Sequence, residues 1–169
     1  MAAGKIGDGY ASGMSSAAIV ALTAAGIGYR ILRTPGVRSL AEAAAARGVE
    51  VADVVKTIVV RRGEEDFLFV LLPGDRVVSW PKLRSLLGVS RLSMPDADTA
   101  KQVTGYERGT ITPFGSTRAW PVIADERLRG GRITLDAGEH GVAVAVDADE
   151  FVHAMHAELA DVTDPEQAK

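Results

Sequence analysis

The chain has 169 residues, enough for one domain with a sizeable core. Its 47% hydrophobic and 24% charged content is that of a soluble globular protein, and the absence of cysteine excludes disulfides, thiolate metal sites and a cysteine nucleophile. A net charge of −3 argues against a general DNA- or RNA-wrapping protein, and no apolar run is long enough to cross a membrane.

Residues 1–14 are Gly-rich and read as a flexible tail. They lack the apolar core of a signal peptide, so a cytoplasmic location is expected. Gly4-Lys5-Ile6-Gly7-Asp8-Gly9 has the glycines of a phosphate loop but neither the preceding strand nor the lysine placement, and it is set aside. Residues 16–25 predict a helix capped by Ser15 or Ser16 and closed by Gly26. Residues 27–33 alternate as a strand, and Pro35-Gly36 marks a turn. Residues 39–47 are Ala-rich and helical, ending at Gly48. Residues 54–61 and 67–72 are strongly apolar with a polar link between them, the pattern of a hairpin. Pro73-Gly74-Asp75 turns the chain.

A helix opens at Ser79 or Pro81 and runs to about Leu87, where Gly88 stops it. Residues 91–94 predict a short strand, and Asp96 caps a helix through about Val103. Strands follow at 120–124, 132–135 and 141–146. Asp147 or Asp149 caps a final helix reaching about Leu159, and residues 164–169 read as a frayed tail. No linker divides the chain, so residues 15–163 form one domain. Hairpins with interspersed helices predict an α+β fold: a curved, mixed, mostly antiparallel and barrel-like sheet surrounded by helices.

Residues 104–115 carry the densest signal, with three glycines, one proline and two aromatics in twelve positions. Such a run is a hard corner or a binding loop, because its glycines let a ligand approach bare backbone groups. Lys56 opens an apolar strand face shared with Ile58 and Val60. It either snorkels to the rim as a surface lysine or reaches a pocket that holds an anion. Asp136 and His140 flank a Gly-bearing turn, as a base and its orienter or as plain turn residues. Glu150-x-x-His153, with His156 beyond, has a metal-ligand spacing in a single copy, which reads as a solvated face.

Basic residues group at Arg30, Arg33 and Arg38, at Arg76, Lys82, Arg84 and Arg91, and at Arg127, Arg129 and Arg132, while acids gather toward the C-terminus. Scattered solvated charge is the plainer reading of this pattern. The alternative is a local basic face, fitted to a few phosphates and not to a long duplex.

Three of these features carry a resemblance. Val55-Lys56-Thr57 is similar to the lysine-threonine strand entry of the YbaK/EbsC family. Thr104-Gly105-Tyr106 with Gly109-Thr110-Ile111-Thr112-Pro113-Phe114-Gly115 resembles its G-x-x-x-P loop, and Asp136-Ala137-Gly138 stands at its small-residue turn. The resemblance runs over residues 27–161. That family shares its fold with the editing insertion domain of bacterial prolyl-tRNA synthetases and hydrolyses the ester of mischarged tRNAs.

By resemblance, Lys56 engages the terminal nucleotide of the acceptor end. Gly109, Thr110, Ile111, Thr112 and Pro113 present backbone to the aminoacyl group, with Phe114 and Gly115 completing the loop. Tyr29, Asp136 and Gly138 are expected at the same pocket. Thr110 stands where many relatives have glycine, and is expected to stiffen the loop and narrow the pocket. Asp136 replaces Ser or Ala, and its carboxylate either pairs with the substrate's α-amino group or caps the turn. The alanine-editing branch carries a His-Pro-x-x-Asn pattern that is absent here, which points away from alanine. The resemblance implies a free-standing trans-editing deacylase with no cofactor. Cys-tRNA(Pro) is the family's best-known substrate, and prolyl-tRNA synthetase is a candidate partner. The alternative is a binding module of the same fold for aminoacyl-tRNA, a nucleotide or an adenylate-like ligand.

Overall fold

The computed structural model describes residues 16–167. The N-terminal tail and its glycine-lysine run lie outside them. The order is α1 (Ala17–Ala25), β1 (Tyr29–Arg33), α2 (Leu40–Arg47), a 3₁₀ turn (Val51–Asp53), β2 (Val55–Gly63), β3 (Asp66–Pro73), β4 (Arg76–Val78), α3 (Trp80–Leu87), α4 (Ala97–Thr104), β5 (Val122–Asp125), β6 (Arg132–Asp136), β7 (Val142–Asp147), α5 (Ala148–Ala154), β8 (Glu158–Ala160) and β9 (Thr163–Pro165). Local chemistry sets the helix ends. Ser16, Ser39, Ser79, Asp96 and Asp147 each accept a backbone N–H three residues on. Gly26, Gly48, Gly88 and Gly105 close four of these helices in the left-handed region.

The fold is mixed α+β, but its strands form three separate sheets, ordered β1-β7-β6, β2-β3-β5-β8 and β4-β9. The expected barrel-like sheet is therefore not closed. An isolated parallel bridge between Val54 and Thr134 joins the first two sheets at one corner. β2 and β3 are antiparallel, whereas β5 and β8 run parallel to their neighbours.

β3 is buried along both faces. Phe67, Phe69 and Leu71 face the larger core with α1, β1, β7 and α5, while Leu68, Val70 and Leu72 face a smaller core with Leu83, Ile123 and Val162. A strand covered on both sides must be apolar at every position, which explains its unbroken hydrophobic run.

Three short strands were not foreseen, and the last helix ends earlier than expected. It stops at Ala154, and the chain then turns through His156 at φ 53° into β8. Residues 91–94 form no strand beyond the Arg61–Ser93 bridge. Pairing continues to Pro165 opposite Arg76, so ordered structure passes the point where the sequence predicts fraying.

Asp125 is fully buried at the end of β5. It accepts the Val162 N–H at 3.2 Å, the Thr163 hydroxyl at 2.8 Å and the Arg127 guanidinium at 3.0 Å. Arg127 and Lys82 both bridge to Asp161, and Lys82 also reaches Asp164. Two of the basic groups seen in the sequence thus meet the C-terminal acids and do not form one open positive face.

Candidate functional site

The loop after α4 is held from inside. The Thr104 hydroxyl accepts the Tyr106 N–H at 3.1 Å and donates to Ala100 O at 2.8 Å. The buried Tyr106 hydroxyl donates to Phe114 O at 2.7 Å and so ties the two ends of the loop. Phe114 packs edge-on against Phe151 in the larger core.

Two glycines seat this brace. A Cβ on Gly138 would lie 2.7 Å from the Tyr106 ring, and one on Gly115 would lie 2.4 Å from Ala17 O. Gly138 N–H donates to Thr110 O at 2.9 Å, which docks the β6–β7 turn on the loop.

Burial pushes the Tyr106 phenol up to about 12. A raised folded-state value means stability fully present below pH 10 and lost as pH rises toward 12. Tyr106→Phe is expected to cost about 1–3 kcal/mol by orphaning the Phe114 carbonyl. It should also remove a phenol titrating at about 12 from an alkaline absorbance titration, and unchanged melting would dismiss the brace.

The braced loop walls one side of a cleft of about 440 Å³. Arg108, Gly109 and Ile111 come from the loop, Thr57, Ile58 and Val59 from β2, Met94 to Ala97 with Ala100 from the start of α4, and Asp136 from the end of β6. The Thr57 hydroxyl is buried there without a hydrogen-bond partner. The loop's own bonding also leaves the N–H groups of Gly109 and Ile111 unused among the described residues. Alongside, Arg61, Arg62 and Arg91 line a shallower groove, where β2 and the 91–93 segment are bridged by Arg61 N–H to Ser93 O at 2.7 Å.

Of the residues singled out in the sequence, Gly109, Ile111 and Asp136 meet at this cleft. Thr110, Thr112, Pro113 and Phe114 are buried behind it, and Gly115 and Gly138 shape the loop from within. Thr110 bonds Glu107 O with both its N–H and its hydroxyl. It stiffens the loop while turned inward, and so does not narrow the cleft. Tyr29 lies in the core with its hydroxyl 2.9 Å from Thr23, away from the cleft.

Lys56 is also elsewhere. Its register partner is Leu72, on the smaller-core face, whereas Thr57 pairs with Leu71 on the larger-core face. The Lys56 ammonium donates to Arg76 O at 2.5 Å. His140 does not pair with Asp136; its Nε2 lies 3.4 Å from Glu107 at the rim. Among the described residues no group of metal ligands converges.

Arg47, which no sequence pattern singled out, ends α2 with a side chain only 7% exposed. It donates to the Thr134 hydroxyl at 2.9 Å and to Asp136 Oδ1 at 3.4 Å. Desolvation raises the Asp136 carboxyl above its ordinary value, against the opposing pull of Arg47.

The fold is thus a mixed α+β domain with a braced glycine-proline loop over a partly polar cleft. Comparison with known proteins identifies its class. The sequence profile of the aminoacyl-tRNA editing domain matches residues 34–154, and the chain belongs to that family, in its YbaK/EbsC branch.

A proline–tRNA ligase of Pelotomaculum thermopropionicum is 38% identical over 92 residues, 54% of this chain and 16% of the ligase. The match therefore spans about one sixth of that enzyme's length. EbsC of Enterococcus faecalis, whose name proposes it as a Cys-tRNA(Pro)/Cys-tRNA(Cys) deacylase, is 23% identical over 70% of this chain and 73% of its own. A crystal structure described as a proposed trans-editing enzyme for prolyl-tRNA synthetase superposes with TM-score 0.81 at 26% identity, covering 89% of this chain and 99% of the other.

Proposed function

We propose that the protein hydrolyses the ester of mischarged aminoacyl-tRNA in trans, without a metal or organic cofactor, in the cytoplasm. The observation that carries this reading is the cleft itself. A loop rigidified by Tyr106 brings Gly109 and Ile111, whose N–H groups are unused among the described residues, into the lining of the same cleft as Thr57, whose hydroxyl has no partner.

An aminoacyl ester is already activated toward water, so the site has to hold the carbonyl, stabilise the oxyanion and place a water. The two amides are donors for the oxyanion. Thr57 orients either the ribose hydroxyls or the attacking water. Arg108, with Arg61 and Arg91 in the adjoining groove, supplies contacts for the acceptor-strand phosphates. Lys56 lies outside both linings, so in this reading it must release the Arg76 carbonyl to engage the terminal nucleotide. Cys-tRNA(Pro) is the substrate we assign, by analogy with the name of the Enterococcus relative, and prolyl-tRNA synthetase is the partner. DNA is not a ligand in this reading.

The bond from Lys56 to the Arg76 carbonyl supports a second reading for that lysine alone, as a tether between β2 and β4. One experiment separates the two. Cysteinyl- and alanyl-tRNA(Pro) and seryl-tRNA(Thr) are offered to wild type and Lys56→Ala, with melting measured alongside. Turnover of one substrate, reduced about 10²-fold or more in a variant that melts normally, is the expected result. A variant that loses stability and keeps turnover per folded molecule makes Lys56 a tether. No turnover by folded wild type across the panel turns the reading to a binding module.

A further inference from the structure

We propose that Asp136 is the receptor for the substrate's free α-ammonium group, so that the cleft accepts aminoacyl esters and rejects esters whose amine is acylated. This rests on the deacylase reading and deepens it. Asp136 ends β6 at the wall of the cleft, with a side chain 36% exposed.

A carboxylate at this turn has two roles open to it: capping the turn or meeting a ligand. Ala137 N–H bonds Val142 O, Gly138 N–H bonds Thr110 O and Val142 N–H bonds Glu139 O, and no N–H of the turn bonds the Asp136 carboxylate among the described residues. Asp136 therefore caps nothing. Its Oδ1 is held by Arg47, and its Oδ2 takes no hydrogen bond among the described residues.

Arg47 is itself fixed by the Thr134 hydroxyl, so the carboxylate is aimed from behind while one oxygen stays available. The second acid at the cleft, Asp96, stands at the start of α4 and caps it through Thr99 N–H at 2.8 Å. Asp136 thus presents to the cleft one carboxylate oxygen without a hydrogen-bond partner among the described residues, beside a loop suited to the ester carbonyl. An α-amino ester places its ammonium one carbon from that carbonyl. A charge-assisted hydrogen bond to Oδ2 would fix the acyl group in one orientation. An N-acyl group removes the charge and adds bulk at the same point, so formylated or peptidyl esters would be excluded.

The test uses binding, which does not depend on turnover. The probes are 3′-amino-3′-deoxyadenosine amides of alanine and cysteine and their N-acetyl counterparts. They are titrated calorimetrically into wild type and Asp136→Asn, a change that keeps an oxygen for Arg47. A free-amine preference of at least about tenfold in wild type, reduced to within about twofold in a variant of unchanged melting temperature, is the expected outcome. Equal binding of free and acetylated probes by wild type overturns the inference, as does a preference that survives Asp136→Asn or the failure of every probe to bind. Ester hydrolysis assayed in parallel separates the two levels. Turnover without amine preference removes this inference and leaves the deacylase standing, whereas no binding and no turnover removes both.

Discussion

Gly115→Ala is expected to destabilise the protein by roughly 3–5 kcal/mol, combining left-handed backbone strain with overpacking. Gly115 sits at φ 76°, a region that L side chains rarely occupy. Its added methyl would also meet Ala17 O at 2.4 Å and the Tyr106 hydroxyl at 2.6 Å. Neither is the far end of a flexible chain. Ala17 is helix backbone in α1, and the Tyr106 hydroxyl is fixed on Phe114 O. Relief requires α1 to move or the brace to break, and both loosen the loop that walls the cleft. Thermal melting should fall by on the order of 10 °C for a chain of this size. Turnover should fall further than the folded fraction accounts for. A melting curve within a degree or two of wild type would show that α1 yields freely.

Arg47→Met should cost about 2–4 kcal/mol at neutral pH, and the cost should shrink on acidification. The guanidinium serves both Thr134 and Asp136 from a nearly buried position. Its loss leaves an uncompensated carboxylate. The sign of the pH effect follows from Asp136, whose folded-state value is already raised by desolvation. An acid with a raised folded-state value favours folding below its unfolded value, and that contribution is lost as pH rises through the folded one. Without Arg47 the folded value rises again, because the interaction that lowers it is gone. The gap between variant and wild type should therefore narrow as pH falls from 7 toward about 4. Urea titrations across that range measure it, and a gap independent of pH would remove Asp136 from the account.

The parts of the fold legible in the sequence are those specified by neighbours in the chain. Ser39 with Gly48, and Asp96 with Gly105, declare helix ends because capping is satisfied within a few residues. The loop was legible for the same reason, its glycines and proline forbidding regular structure. The strands β4, β8 and β9 were not, since three-residue segments show no period and owe their existence to distant partners. β8 read as a continuation of the final helix, which masked the stop at Met155.

The candidate site divides in the same way. Gly109, Ile111 and Asp136 were found through turn chemistry and resemblance, and they do share a cleft. Arg47 carries no such signal, because a basic residue in the last turn of an alanine-rich helix has the pattern of ordinary dipole compensation. Only pairing with Thr134, 87 residues away, reveals its burial. Tyr29 was expected at the pocket and is a core residue, since alternation along a strand shows that a face is buried but not against what.

The carboxylate of Asp125 also fixes an order of events during synthesis. Two of its partners, the Val162 amide and the Thr163 hydroxyl, leave the ribosome after every other strand but β9 has been made. Until then β5 holds a charge whose final shell is incomplete, with Arg127 as its neighbour. The last segment is therefore a lock, and a nascent chain halted just short of it would hold its central sheet around an acid still drawn toward water.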